Sequence, residues 1–193
     1  MNLGNGWRSA AAALCAGMLV LTMTAMAPQA RADGPNPFTE LVDAAAQRLQ
    51  TADPVAAFKW KTGAAVDDPP RVRQVLDAVT TDATAHGIDA DYVRAVFTDQ
   101  INATDAIEYA RFSEWKLDPA SAPAQAPELS SSRAAIDVLN HTMVSQMVLH
   151  WDSLRSPTCT VDLNDASNAV TSARQLDELY QRALSFATNS YCR

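Results

Sequence analysis

Apolar residues recur at steps of three and four along most of the chain after residue 38, which is the spacing of one face of an α-helix. Between Thr39 and Lys61 this face is formed by Leu41, Ala45, Leu49, Ala52, Ala56 and Lys59. Asp53 and Pro54 mark a place where this helix could restart, because Asp caps helices and Pro suits their first turn. The pattern predicts a helix that ends near Gly63, a residue type common just after a helix.

The same periodicity predicts the remaining elements, and Asp, Gly and Pro residues mark their ends. The predicted segments are a helix capped by Asp67 or Asp68 that ends at His86-Gly87, a helix from about Ala90 to Leu117 capped by Asp89, a connector over 118–127, a helix from about Glu128 to Leu154, and a helical stretch from Cys159 to Tyr191 that breaks near Thr171-Ser172. No stretch shows the alternation of a strand between turn signals. The sequence therefore predicts an all-α fold, a single-domain bundle of about six helices.

Residues 1–32 have the pattern of a secretory signal peptide. Arg8 precedes a mostly apolar run, and residues 30–32, Ala-Arg-Ala, have the form of a cleavage site. An uncleaved membrane anchor is the alternative, although Ser, Thr and Gly dilute the apolar run. We expect cleavage after Ala32, a mature domain of residues 33–193, and export to the cell envelope or the medium.

The chain is acidic, with a formal net charge of −7. Loss of residues 1–32 removes Arg8 and Arg31 and no acid, which makes the charge −9. An acidic surface disfavours nucleic acid or an anionic membrane as a partner, so we expect neither, but it is compatible with a basic pocket. After residue 32 two cysteines remain, Cys159 and Cys192. In an exported protein such a pair favours a disulfide over two buried free thiols.

Six polar side chains interrupt the predicted apolar faces. They are Arg48 and Lys59 in the first helix, Arg71 in the second, Thr104 and Glu108 in the long helix, and Arg133 at the head of the next one. A charge buried without a partner is costly, so each needs an explanation. The simplest explanation is that the charged residues form local ion pairs, Glu108 with Arg111 and Arg71 with Asp67. Taken together, four cations against one carboxylate favour a small dianion bound inside a helical bundle.

Several chemistries lack their sequence patterns. The chain has no Gly-rich phosphate loop, no G-x-S-x-G, no H-E-x-x-H and no Glu-x-x-His pair, which disfavours a phosphate-loop protein, a serine hydrolase and a metal-dependent bundle. His86 lies at a helix end, and His141 and His150 are on different faces of their helix. We therefore expect all three histidines to be structural or exposed.

Four stretches carry a resemblance to a known family. They are LVDAAAQRLQTADPVAAFKWK (41–61), DYVRAVFTDQINATDAIEYARFSEWKLDPASAP (91–123), SSRAAIDVLN (131–140) and LDELYQRAL followed by SYC (176–192). Through them essentially the whole chain after residue 32 resembles the secreted, all-helical bacterial chorismate mutases of the AroQ class, in their exported, disulfide-bonded gamma subclass. The resemblance implies an isomerase that converts chorismate to prephenate without a cofactor or a metal, on the route to phenylalanine and tyrosine.

The resemblance also implies which residues form the site. The family's substrate-binding positions fall on Arg48, Lys59, Arg71, Thr104, Glu108 and Arg133. Among these, Lys59, Glu108 and Arg71 correspond to its catalytic positions. The family's disulfide falls on Cys159 and Cys192. One position departs from the family, because Val75 stands where a polar residue, often Gln, is expected near the substrate hydroxyl, and Gln74 is on a different face. The subclass implies a homodimer with a complete site in each chain. The alternative function is an exported helical protein that binds an anion without turnover.

Overall fold

The computed structural model describes residues 34–193, and these residues form α-helices joined by short connections. The helices are α1 (Thr39–Gln50), α2 (Ala52–Thr62), α3 (Pro69–Ala85), α4 (Ala90–Leu117), α5 (Leu129–Leu149), α6 (Trp151–Leu154), α7 (Cys159–Arg174) and α8 (Glu178–Ala187). A short 3-10 turn, Pro119–Ser121, lies in the connector between α4 and α5. No strand occurs in this part of the chain, so the all-α prediction is confirmed. The predicted signal peptide, residues 1–32, lies outside the described residues.

The predicted caps close several of the helices. Gly63 follows α2 in the left-handed conformation, with φ of 70°. The Asp68 carboxylate accepts a hydrogen bond from the backbone N–H of Arg71 at 3.2 Å and caps α3. The Asp89 carboxylate accepts one from the backbone N–H of Tyr92 at 2.8 Å and caps α4. Each Asp satisfies an N–H group that the first turn of a helix leaves without a partner.

The predicted first helix is divided at Thr51 into α1 and α2. The second part begins at Ala52 and not at Pro54, so the prediction that Asp53 caps it is wrong. Asp53 instead accepts a hydrogen bond from Arg111 Nε at 2.7 Å. Pro54 lies in the first turn, where its missing N–H has no acceptor within the helix.

The C-terminal half divides in ways that the apolar pattern did not predict. The helix expected from 128 to 154 is interrupted at His150. The break expected near Thr171-Ser172 comes later, where Gln175 adopts a left-handed conformation with φ of 50°. Asp177 then caps α8 by accepting a hydrogen bond from the backbone N–H of Tyr180 at 2.9 Å. Small polar residues on an exposed face do not end α7, whereas the left-handed residue Gln175 does, and Asp177 begins the next helix.

Helices α1 and α4 form the centre of the bundle. Helix α4 packs against α2, α3 and α8, whereas α1 packs against α5, α7 and α8. The largest fully buried side chains include Phe38, Leu41, Leu49, Tyr92, Phe97, Ile107, Met143, Met147, Leu154, Leu184 and Tyr191. The predicted disulfide is confirmed: Cys159, at the start of α7, is bonded to Cys192, which follows α8. The packing of α4 against α2 and α3, and of α1 against α5, brings the inner faces of α1 to α5 around one cleft.

A smaller aromatic cluster joins α2 to the C-terminal half of α4. The Trp60 ring packs edge-on against the rings of Phe112 and Trp115, at centroid distances of 5.3 and 5.8 Å. Ala122 and Ala126 of the connector pack on the same cluster. These contacts set the position of α2 relative to α4, and so the position of Lys59 relative to Glu108.

Candidate active site

All six polar residues singled out from the helix faces line one cleft. Helix α1 contributes Arg48, α2 contributes Lys59, α3 contributes Arg71, α4 contributes Thr104 and Glu108, and α5 contributes Arg133. The apolar part of the lining consists of Val55, Val66, Val72, Val75, Ile101, Leu129 and Ile136. A cleft with apolar walls and converging polar groups suits a small charged ligand.

Arg48 is a buried cation whose hydrogen-bond partners are all neutral groups. Its side chain is 4% exposed. Nε donates to Asn140 Oδ1 at 2.7 Å, and Nη1 donates to Thr104 Oγ1 at 3.1 Å and to the backbone oxygen of Gln100 at 3.5 Å. Burial lowers its pKa to about 10, so the guanidinium is charged at neutral pH. An anion in the cleft would offset the cost of burying this charge.

Lys59 and Glu108 form a buried ion pair. Lys59 Nζ donates to Glu108 Oε2 at 2.8 Å and to the backbone oxygen of Val66 at 2.6 Å. Glu108 is 2% exposed, and this burial raises its pKa to about 7, although Lys59 acts in the opposite direction. The sequence-based pairing with Arg111 is wrong, because Lys59 is the partner of Glu108 and Arg111 binds Asp53. Near neutral pH part of the Glu108 population is protonated and can donate a hydrogen bond.

Arg71 is bound on one side of the cleft by α5. Its Nη2 forms an ion pair with Asp137, and its Nη1 donates to Gln74 Oε1 at 2.9 Å. The sequence-based pairing with Asp67 is wrong, since Asp67 accepts a hydrogen bond from Tyr109 Oη at 2.7 Å instead. Arg71 therefore meets its carboxylate partner across the bundle and not within its own helix turn.

Arg133 is bound by the residue that caps α3. Its Nη2 donates to Asp68 Oδ2 at 2.7 Å, and both side chains are partly exposed. Asp68 and Asp105 both line the cleft together with Glu108. The expectation of four cations against one carboxylate is therefore wrong. Sequence reasoning missed these two carboxylates because one lies in a loop and the other lies beside Thr104, off the apolar stripe.

The position that departs from the family lies in the cleft wall. Val75 is 5% exposed and lines the cleft. Gln74, next to it, is exposed and directs its amide oxygen to Arg71. The amide of Gln74 therefore does not replace a polar group at residue 75.

The histidines lie outside the cleft lining. His86 and His141 both contact Asp82, and the His150 ring packs edge-on against Phe38. Within residues 34–193 no group of His, Cys, Asp and Glu side chains has the arrangement needed to hold a metal ion. No helix in that range is both long enough and apolar enough to cross a membrane.

Three separate comparisons with known proteins indicate the same family. Residues 39–109 match the family model for chorismate mutase type II. The chain is 57% identical over 166 residues to the secreted chorismate mutase of Mycolicibacterium smegmatis, covering 86% of this chain and 92% of the relative. It is 52% identical over 184 residues to the secreted chorismate mutase of Mycobacterium tuberculosis, covering 95% and 92%. The crystal structure of chorismate mutase from Burkholderia phymatum has a TM-score of 0.77 at 30% identity, over 82% of this chain and 97% of that one.

Proposed function

The chain belongs to the chorismate mutase type II family, and from this premise we infer that it is a secreted isomerase that converts chorismate to prephenate. The observation that carries the inference is the convergence of four cations and a buried glutamic acid on one cleft. Chorismate has two carboxylates and an ether bond that breaks during the reaction. A cleft with several cations and one proton donor matches those groups.

The reaction is a unimolecular [3,3] rearrangement, so it needs no base, nucleophile or redox group. The enzyme must hold the substrate in the folded conformer and stabilise the charge that grows on the ether oxygen as the bond lengthens. Accelerations at the modest end of the enzyme range correspond to about 8 kcal/mol. A few fixed charges in a cleft shielded from water can provide stabilisation of this size.

Arg48, Arg71 and Arg133 are assigned to the substrate carboxylates. The planar guanidinium group suits two-point contact with a carboxylate. Thr104 belongs with Arg48, because its hydroxyl accepts a hydrogen bond from Nη1 and donates one to the Gln100 backbone oxygen at 2.8 Å. Because its one hydroxyl proton is donated to Gln100, Thr104 would act on the ring carboxylate through Arg48, whose Nη1 it binds.

Lys59 and Glu108 are assigned to the ether oxygen, and Arg71 contributes from the α3 side. Lys59 Nζ has one remaining N–H after its bonds to Glu108 and Val66, because an ammonium group carries three donors. Glu108 contributes a donor when it is protonated. Two donors on one oxygen would stabilise the negative charge that develops there in the transition state.

The assignment of the site is tested by substitution. We expect Lys59→Ala to lower kcat/KM at least about 100-fold, the scale found when one donor to a developing oxyanion is removed. We expect Arg133→Ala to lower it strongly as well, because a substrate carboxylate loses its charged partner. Chorismate loss is followed by absorbance with purified protein, and circular dichroism checks that the helices remain. Lys116→Ala and Arg94→Ala, both at exposed positions of α4, are the matched controls and should keep wild-type activity. Chorismate binding without turnover by the wild type would favour the anion-binding alternative.

We propose that the protein is a homodimer with a complete site in each chain. The second part of this proposal is supported by the fact that α1 to α5 of one chain supply all six site residues. Mass measurement in solution tests the oligomeric state.

Removal of residues 1–32 is likewise a proposal, tested by sequencing the N-terminus of the exported protein, which should begin at Asp33.

A further inference from the structure

One of the four cations in the cleft differs from the others in its partners. Three of them each bind a carboxylate: Lys59 binds Glu108, Arg71 binds Asp137, and Arg133 binds Asp68. Arg48 forms no ion pair within residues 34–193, although it is the most deeply buried of the four. The carboxylates of Asp105 and Asp137 act on it only as weaker, longer-range charges.

The residue that holds Arg48 is Asn140 of α5. Asn140 is 5% exposed, and its Oδ1 accepts the short bond from Arg48 Nε. Within the described residues its Nδ2 makes no hydrogen bond, so only the carbonyl half of the amide is in use. A carboxylate of the same shape could accept the same bond and would also compensate the buried charge. Holding Arg48 in place therefore does not by itself explain an amide here.

We propose that Asn140 is a positioning residue that orients Arg48 without cancelling the positive charge that a substrate carboxylate requires. The proposal rests on the proposed chorismate mutase function. Arg48 Nη2 makes no hydrogen bond within residues 34–193, so it is available to a ligand. A carboxylate at residue 140 would form a buried ion pair with Arg48 and would repel the anionic substrate.

The neutral partner thus costs stability and favours binding. The ligand-free protein keeps a buried cation without a carboxylate partner, and the substrate supplies the missing negative charge. Stability and affinity should then respond in opposite directions when residue 140 becomes acidic. If Arg48 did not bind the substrate, an acidic residue 140 would change stability and leave KM close to the wild-type value.

Two substitutions separate charge from hydrogen bonding. Asn140→Asp keeps the acceptor and cancels the charge, and Asn140→Leu removes the acceptor and keeps the charge. We expect Asn140→Asp to unfold at the wild-type temperature or higher, with a KM for chorismate raised about tenfold or more, the effect of one lost charge-assisted contact. We expect Asn140→Leu to unfold at a lower temperature, with a smaller rise in KM and a lower kcat. Asn168→Asp, at an exposed position of α7, is the control for added charge and should change neither.

A wild-type KM in Asn140→Asp would overturn the proposal, and so would a lower unfolding temperature or a failure of that variant to fold. A larger rise of KM in Asn140→Leu than in Asn140→Asp would also overturn it. The thermal comparison needs no substrate. If the wild type fails to turn over chorismate, the proposed function is refuted, whereas the unfolding temperatures still decide whether Arg48 is a buried, uncompensated cation.

Discussion

At the scale of single residues, the proton on Glu108 decides what this side chain can contribute. Burial raises its pKa from an ordinary value of 4.5 to about 7. Below that pH the carboxyl is protonated and can donate to the ether oxygen, and above it the carboxylate only accepts from Lys59. The activity of the free enzyme therefore depends on a group that titrates close to neutral pH.

We predict that kcat/KM of the wild type falls as the pH rises through about 7, because the donating form of Glu108 is lost. Glu108→Gln keeps an N–H donor of similar shape, so it should retain activity and show a flat profile on the alkaline side. The measurement is kcat/KM for chorismate over a pH series for both proteins. A Glu108→Gln variant that is inactive at every pH would refute the donor role.

The same titration has a consequence for stability that does not involve substrate. A carboxyl whose pKa is raised by folding holds its proton more tightly in the folded state, so folding loses free energy as the pH rises between the two values. For Glu108 this window runs from about 4.5 to about 7. We predict that the free energy of unfolding of the wild type falls across this window relative to that of Glu108→Gln. Denaturant titrations at several pH values measure the difference, and parallel curves would contradict it.

Asp137 competes with the substrate for Arg71 in our interpretation. The Asp137 side chain is 56% exposed, and ion pairs with an exposed partner contribute about 0.2–1 kcal/mol. We predict that Asp137→Asn lowers KM by about two- to fivefold at most, with kcat little changed, because less energy is spent in releasing Arg71. Steady-state kinetics of this variant, with Asp91→Asn at an exposed position of α4 as control, provide the measurement. A higher KM would show instead that Asp137 orients Arg71 for the substrate.

At the scale of helices, the disulfide links two elements that lie away from the cleft. It joins the first residue of α7 to the tail after α8, across a sequence separation of 33. Residues of α7 and α8 are not part of the cleft lining. The disulfide should therefore affect the stability of the bundle more than the chemistry of the site.

We predict that replacing Cys159 and Cys192 with Ser lowers the free energy of unfolding by about 3–4 kcal/mol, the value that chain entropy gives for a loop of this length. Activity at 25 °C should stay close to that of the wild type. Denaturant unfolding and chorismate turnover of the same preparation test both parts. Loss of turnover in a variant that remains folded would show that α8 controls the position of α4, against which it packs.

At the scale of the whole molecule, the six proposed site residues all come from one chain. Helices α1 to α5 of a single chain supply every group assigned to the substrate. We propose that assembly of two chains is not needed to complete the cleft. On this proposal, any effect of assembly on activity acts through stability and not through missing residues.

We predict that the specific activity per chain stays constant when the protein is diluted through the range in which a dimer would dissociate. Activity assays from micromolar to nanomolar protein, with mass measurements at the same concentrations, test this expectation. Circular dichroism at the lowest practicable concentration serves as the control for unfolding. A proportional loss of activity with dimer, in chains that remain helical, would mean that the partner contributes to the site.

Much of the fold could be predicted because its signals are local. Asp89 and Gly63 mark the ends of α4 and α2 through hydrogen bonds and backbone angles that involve only nearby residues. The sequence predicts the break near Thr171-Ser172, earlier than its actual position at 175–177, since the exposed face of α7 carries the same small polar residues as a loop. Such a misplacement is expected where apolar periodicity continues through a stretch of Ser and Thr.

The sequence by itself determined which residues face inward and which family the chain resembles. A helical period defines the buried face of each helix, so Arg48, Lys59 and Glu108 stand out as charges where apolar residues belong. The four quoted stretches then assign these residues to a chorismate mutase, and the comparisons confirm the family.

Only the tertiary structure decided the partner of each charge. The period of a helix does not define how far one helix is shifted or rotated against its neighbour, and that shift brings Glu108 to Lys59, Asp137 to Arg71 and Asn140 to Arg48. Burial, which raises the pKa of Glu108, likewise comes from atoms of several helices. The chemistry of the cleft therefore depends on contacts between segments that are distant along the chain.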